Sequence, residues 1–316
     1  MNKYILLFIL SPNLAYATAD IASGHLTTQK ISVALSSGLM LNGGKAKEFV
    51  YIDDIKRSQL NWDIKNAPII KADLSWQPFS WLSLNANAWT TVTQSSSLVM
   101  SDFDYTDQTD AKLMTDWSYH PDTKMKYANQ VDLNAQLFAL SDTQYKAGFV
   151  VGYQQNKFNW NSKGGIYRYS LTDHDGNYIP GTAQMFSGEF DKKNDKGIDY
   201  KQIYRMPYIG LNAQYDNQKI SLGATVKYSA WVTAKDVDHH YARETVFYSQ
   251  VKNMDYYGVN LNAGYYIRPD TQLFTAFEWN KYREKMGKTH QTDNIQGQGS
   301  LSSQFQNLSL GIKYYF

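Results

Sequence analysis

The chain has 316 residues, a formal net charge of +2 and no cysteine, which excludes disulfide and thiolate chemistry and argues against a general nucleic-acid binder. Mean hydropathy is −0.51, yet aromatic residues make up 15% of the chain and 25 residues are tyrosine. No linker, low-complexity run or internal repeat divides the sequence, so one domain is expected over 18–316, behind a leader of 1–17.

That leader is "MNKYILLFILSPNLAYATAD": Lys3, an apolar run from Tyr4 to Leu10, then Ala15-Tyr16-Ala17, the form of a secretory signal cut near Ala17. Beyond it no segment approaches the ~18 apolar residues of a spanning helix. Alternation recurs instead, and places ten strands near 29–41, 57–76, 80–97, 122–140, 144–170, 199–216, 219–234, 246–268, 271–286 and 301–316. In the seventh, Leu222, Ala224, Val226, Tyr228, Ala230 and Val232 share one face, with Gly223, Thr225, Lys227, Ser229 and Trp231 on the other. The last repeats this, with Leu308, Leu310, Ile312, Tyr314 and Phe316 against Asn307, Ser309, Gly311 and Lys313.

One set of turns is short, at 77–80, 141–143, 217–219 and 269–271; the other is long, at 42–56, 98–121, 171–198, 235–245 and 287–300. Long strands, asymmetric turns and a terminal Phe fit an all-β fold: a ten-stranded antiparallel transmembrane β-barrel with long extracellular loops and short periplasmic turns. Lipid meets the apolar face, and the polar face fills the lumen.

Function is expected in the loops of such a scaffold. The second loop opens on "SDFDYTD", with Asp102 and Asp104 two residues apart; the fourth opens on "KDVDHHY", with Asp236, Asp238 and His240 at every second position. Strands three and seven end roughly across the mouth from each other, so the two clusters face one another. An Asp beside a His fixes its tautomer and makes it a general base near neutral pH. Two close carboxylates repel, which favours one shared proton and a shared water. The combination points to hydrolysis by activated water. Zinc binding by His239 and His240 fits less well, because adjacent side chains diverge on an extended chain and no HExxH accompanies them. A glycosidase carboxylate pair remains conceivable, though the histidine argues against it.

Regular alternation from Leu222 would send Asp236, Asp238 and His240 outward, and from Leu82 would do the same to Asp102 and Asp104. Irregularities are therefore expected between Val232 and Asp236 and between Val92 and Met100.

These clusters stand among further motifs in order: "KAKEFVY", "SQLNWDIKNAPIIKADLSW", "WTT", "HPDT", "GYQQNKF", "GGIYRYS", "YKQIYRMPYIGL", "KYSAWV" and "NAGYYI". With them the chain resembles the omptins, ten-stranded outer-membrane proteases. The resemblance implies that Asp238 and His240 activate water and that Asp102 and Asp104 are the facing couple. It also implies that Glu48 and Asp236 hold a basic side chain before the scissile bond, between apolar walls at Met100 and Ile198. No cofactor or metal is implied. Lipopolysaccharide is implied as an activator on the outer wall, near Tyr153, Gln155, Lys157, Arg205 and Lys252, with Ile203 where a basic residue is the rule. The expectation is an endopeptidase of a Gram-negative outer membrane, its site facing outside, acting on proteins and peptides with basic residues. The alternative is an adhesin or invasin whose loops bind host matrix. Of the two adjacent basic pairs, Lys56-Arg57 and Lys192-Lys193, the second is the expected site of self-cleavage.

Overall fold

A computed structural model describes residues 32–92, 95–191, 196–241, 244–291 and 296–316; the expected leader 1–17 and the Lys192-Lys193 pair lie outside the described residues. The strands are β1 (Ser32–Ile52), β2 (Ile55–Phe79), β3 (Leu82–Thr91), β4 (Ser95–Asp104), β5 (Asp116–Ser141), β6 (Tyr145–Lys163) and β7 (Gly165–Tyr169). They continue as β8 (Phe186–Phe190), β9 (Lys196–Asp216), β10 (Ile220–His240), β11 (Thr245–Arg268), β12 (Thr271–Gln291) and β13 (Gln296–Tyr315). All pairings are antiparallel, and β1 closes the ring on β13, Leu39 lying opposite Leu310. β3 and β4 share one place in the wall, since both pair with β2 and β5. β7 and β8 form a hairpin carried on the upper end of β5. The wall is therefore the ten-stranded barrel that the alternation implies.

The strands run through most of what reads as long loop. β1 and β2 meet in a two-residue turn at Asp53 and Asp54, both in the left-handed region (φ 51° and 59°), as a tight hairpin of matching twist requires. β10 continues to His240 and β12 to Gln291. Hydropathy conceals these extensions because it inverts part-way up the barrel. In the lower half the exposed residues are apolar, among them Leu35, Leu39, Ile70, Leu74, Leu133, Leu222, Val226 and Leu310, as a lipid-facing wall demands. The lumen there holds Lys71 with Glu278 (3.3 Å) and Asp73 (3.5 Å), and Lys227 paired with Asp132. In the upper half the inward face is a core of Leu60, Trp62, Ile64, Leu98, Met100, Phe158, Trp160, Tyr200 and Tyr204. Outward there stand Lys45, Lys65, Lys235, Lys281 and Arg283, so this part of the wall meets water.

Several strands change sides between the two halves. In β10, Ser229 faces in, and so do Val232, Ala234, Asp236, Asp238 and His240; register shifts on both edges lie between Tyr228 and Ala234. The irregularity thus sits a few residues before the position expected, with the effect expected. β3 presents Trp89 inward and β4 resumes with Leu98, Met100 and Asp102 inward, so the second change falls between 92 and 98. Asn66 (φ 52°) and Asn253 (φ 56°) mark the same reversal in β2 and β11, at a backbone conformation that Asn tolerates better than most residues.

Candidate active site

Above the apolar band, the reversal in β10 turns its carboxylates and imidazole into the mouth. His240 Nε2 lies 2.6 Å from Asp238 Oδ2, the length of a charge-assisted hydrogen bond. His239 takes the other side and stacks on Tyr241, ring centroids 3.9 Å apart, so the two histidines diverge as an extended chain requires. Register sets His240 opposite Ile198 and Asp238 opposite Tyr200; Ile198 is buried and forms apolar wall beside the imidazole.

Asp236 is anchored from two neighbouring strands. Its Oδ1 accepts the Ser249 amide (2.8 Å) and its Oδ2 accepts the Tyr200 hydroxyl (3.2 Å). Tyr200 in turn accepts from Gln202 Nε2 at 2.6 Å, and Gln202 Oε1 accepts from Tyr204 and Ser303. Beneath them Trp62 stacks on Tyr200 at 5.2 Å and on Trp160 at 5.8 Å. All three rings are fully buried.

Glu48 reaches the same pocket from β1 and is buried. Burial pushes its carboxyl well above the ordinary range, and the negative charges of Asp236, Asp238 and Asp102 add to this. Burial likewise raises Asp236 to about 7, with Asp238 reinforcing it and the Ser249 hydrogen bonds opposing it. Among the described residues, Glu48 Oε2 and Asp238 Oδ1 are buried without a hydrogen-bond partner. Buried acceptors of this kind are costly unless a cation meets them.

Asp102 comes from β4, opposite Leu60 and Ser118, and accepts from Ser58 Oγ at 3.3 Å; Asp104 follows, opposite Ser58 and Asp116. β4 and β10 are separated by β5, β6 and β9 along one arc of the ring, so the two clusters stand on different sides of the mouth. Met100 is fully buried between Trp62 and His120 in register.

The structure adds Ser118, His120 and Tyr200 to the residues that sequence reasoning selected. His120 Nδ1 donates to the Gly164 carbonyl at 2.5 Å, and Ser118 Oγ lies 2.9 Å from Nε2. Burial lowers the His120 pKa; the Gly164 hydrogen bond works against this, and the nearness of His240 adds to the lowering. The signal was present in "SYHPDT", where Ser118 and His120 have the same two-residue spacing as the acidic clusters.

On the outer wall, Arg205 Nε donates to Gln155 Oε1 at 2.8 Å. Tyr153, Lys157 and Lys252 lie at the surface of the same region. Ile203 sits between Lys157 on β6 and Lys235 on β10 in register, and Lys235 is a cation that sequence reasoning did not place there.

Residues 27–316 match the model of the Omptin family. The chain is 36% identical over 302 residues to the plasminogen activator of Yersinia pestis, covering 92% of this chain and 91% of the relative. It is 34% identical to the outer membrane protease OmpP of Escherichia coli (strain K12), over 100% of this chain and 99% of that one. The crystal structure of the outer membrane protease OmpT from Escherichia coli matches with a TM-score of 0.81 and 32% identity, over 92% of this chain and 98% of that chain.

Proposed function

The chain belongs to the omptin family of outer-membrane proteases, and on that premise we propose that it is an endopeptidase that cuts next to arginine and lysine, dibasic sites included, by means of a water activated by Asp238 and His240. The observation that carries the specificity is the pair of buried carboxylates Glu48 and Asp236, from β1 and β10, near enough for their charges to oppose one another, with Glu48 Oε2 buried and without a hydrogen-bond partner. A guanidinium entering there loses hydration and recovers it from opposite charge in a forked geometry.

In the reaction, Asp238 takes the imidazole N–H at 2.6 Å, which leaves the other ring nitrogen of His240 as the base. Water held between that nitrogen and the Asp102–Asp104 couple loses its proton to His240 as its oxygen attacks the scissile carbonyl. Asp238 stabilises the imidazolium. The tetrahedral intermediate then collapses, and His240 returns the proton to the departing amine. No cofactor or metal enters this scheme. Lipopolysaccharide acts as an activator from outside, its phosphates against Lys157, Arg205, Lys235 and Lys252, with Tyr153 and Gln155 beside them.

The test is cleavage of a short peptide with one Arg-Arg pair by the refolded barrel, with and without lipopolysaccharide. The reading requires a cut at the pair. It fails if the preference for Arg and Lys survives the combined substitutions Glu48→Lys and Asp236→Lys.

A further inference from the structure

The upper end of β5 has a second neighbour besides β4. Tyr119, Ser118 and Trp117 pair with Ile166, Tyr167 and Arg168 of β7. β7 then pairs with β8, from Gly165 opposite Phe190 to Tyr169 opposite Phe186. Residues opposite one another in a ladder present their side chains to the same face. The inward face of β5, marked by buried Ser118 and His120, therefore continues onto Tyr167, Tyr169, Phe186 and Phe190. Ile166, Arg168 and Glu189 take the outer face.

On that inner face the rings form an unbroken series. His120 stacks on Phe190 with centroids 5.0 Å apart, Phe190 meets Tyr167 at 4.9 Å, and Tyr167 meets Tyr169 at 4.6 Å and Phe186 at 6.0 Å. Two glycines make this packing feasible. At Gly165 (φ 113°) a Cβ would strike the Tyr119 backbone, and at Gly188 it would strike the Tyr167 ring. The series begins at the site, where His120 and His240 are close enough for their charges to oppose one another. It ends in the open, with Phe186 53% and Met185 67% exposed. At ~3.3 Å per residue it spans about 13 Å.

A hydrophobic core would not lead out of an acidic mouth and finish in solvent. Ring faces attract cations, and the mouth they adjoin carries Glu48, Asp102, Asp236 and Asp238, so whatever reaches the rings through it is selected for positive charge. Between β1 and β10, which carry Glu48 and Asp236, the ring also runs through β13, β12 and β11; β5 and β7 stand across from that arc.

We propose that the His120–Phe190–Tyr167–Tyr169–Phe186 series is a substrate subsite that holds arginine and lysine side chains of the polypeptide after the cleaved bond. The proposal rests on the protease reading given above. An extended chain turns alternate side chains to one surface, so the series takes two cations about two residues apart while the basic residue before the bond occupies the Glu48–Asp236 pocket.

Three quenched peptides with one shared dibasic site test this: one ending just past the cut, one extended by about six residues with alternate arginines, and one with serines at those places. The wild-type barrel is expected to cleave the arginine-extended peptide roughly three- to tenfold more efficiently than the serine-extended one, with the difference in KM. Phe186→Ser, at an exposed ring, and Tyr169→Ala, at a half-buried one, remove most of that difference and leave the short peptide unchanged. Equal cleavage of the two extended peptides by the wild type overturns the proposal. So does an equal slowing of short and long peptides by the substitutions, the mark of a merely structural role. Fluorescence anisotropy of the labelled arginine extension on the His240→Ala barrel separates this from the protease reading. If the short peptide is not cut by the wild type, the protease reading fails, and the subsite stands only if Phe186→Ser weakens binding of the extension.

Discussion

Binding of a basic side chain should depend on pH in a way set by Asp236. Burial holds its carboxyl near 7, so the free pocket is largely protonated at this position in mild acid. A guanidinium binds the ionised form, and the apparent dissociation constant rises as the inverse of the ionised fraction. At pH 6 that fraction is about one tenth and at pH 8 about nine tenths, so affinity should rise roughly tenfold across the interval. Glu48, raised in the same direction, extends the rise toward higher pH. The consequence for stability has a definite sign. A carboxyl whose folded pKa exceeds its unfolded value of 3.8 stabilises the barrel fully below about 4, and that contribution is lost as pH rises through about 7. A bound guanidinium offsets the loss. The assay is anisotropy of a labelled Arg-Arg peptide on the His240→Ala barrel, which removes titration of the base, between about pH 5.5 and 8.5. Asp236→Asn should weaken binding at high pH and flatten the profile near 7. A flat profile in the His240→Ala parent, or an unchanged profile after Asp236→Asn, would refute the reasoning.

His240→Ala should lower turnover by about two to four orders of magnitude with the barrel still folded, whereas His239→Ala, which removes a ring stacked on Tyr241 outside the site, should be mild; steady-state rates decide, and equal losses would sink the dyad. Asp132→Ala strands the buried Lys227 ammonium that Asp132 and Gln154 hold, at a cost of about 3–5 kcal/mol, visible as a lower unfolding temperature in detergent. Ile203→Arg adds a cation between Lys157 and Lys235 and should strengthen activation by lipopolysaccharide, measured as the lipid concentration for half-maximal rate. Unchanged activation would mean that the existing cations suffice.

What is local and periodic was legible in the residues alone. Side chains on an extended chain alternate with a period of two, so Asp236, Asp238 and His240 had to share a face, as had Asp102 and Asp104, and the apolar series from Leu308 to Phe316 had to line a membrane-facing wall. The motifs carried the family. Which face each cluster takes was set by how the strands pair around the barrel. The sign of an alternation is reset wherever a strand gains or loses a residue against its neighbour, and the shifts between Tyr228 and Ala234 leave no mark in composition because they appear only in pairing. The upper strands have the look of loops because hydropathy there inverts, with Trp62, Trp160 and Tyr200 inside and lysines outside; a period detects a strand, but only the solvent beyond the wall says which face is which. His120, Tyr200 and the β7–β8 rings were hidden for a further reason. Each owes its place to residues tens of positions away, His120 to Gly164 and Phe190 and Tyr200 to Asp236 and Trp62, and closure of the barrel is what brings those partners together.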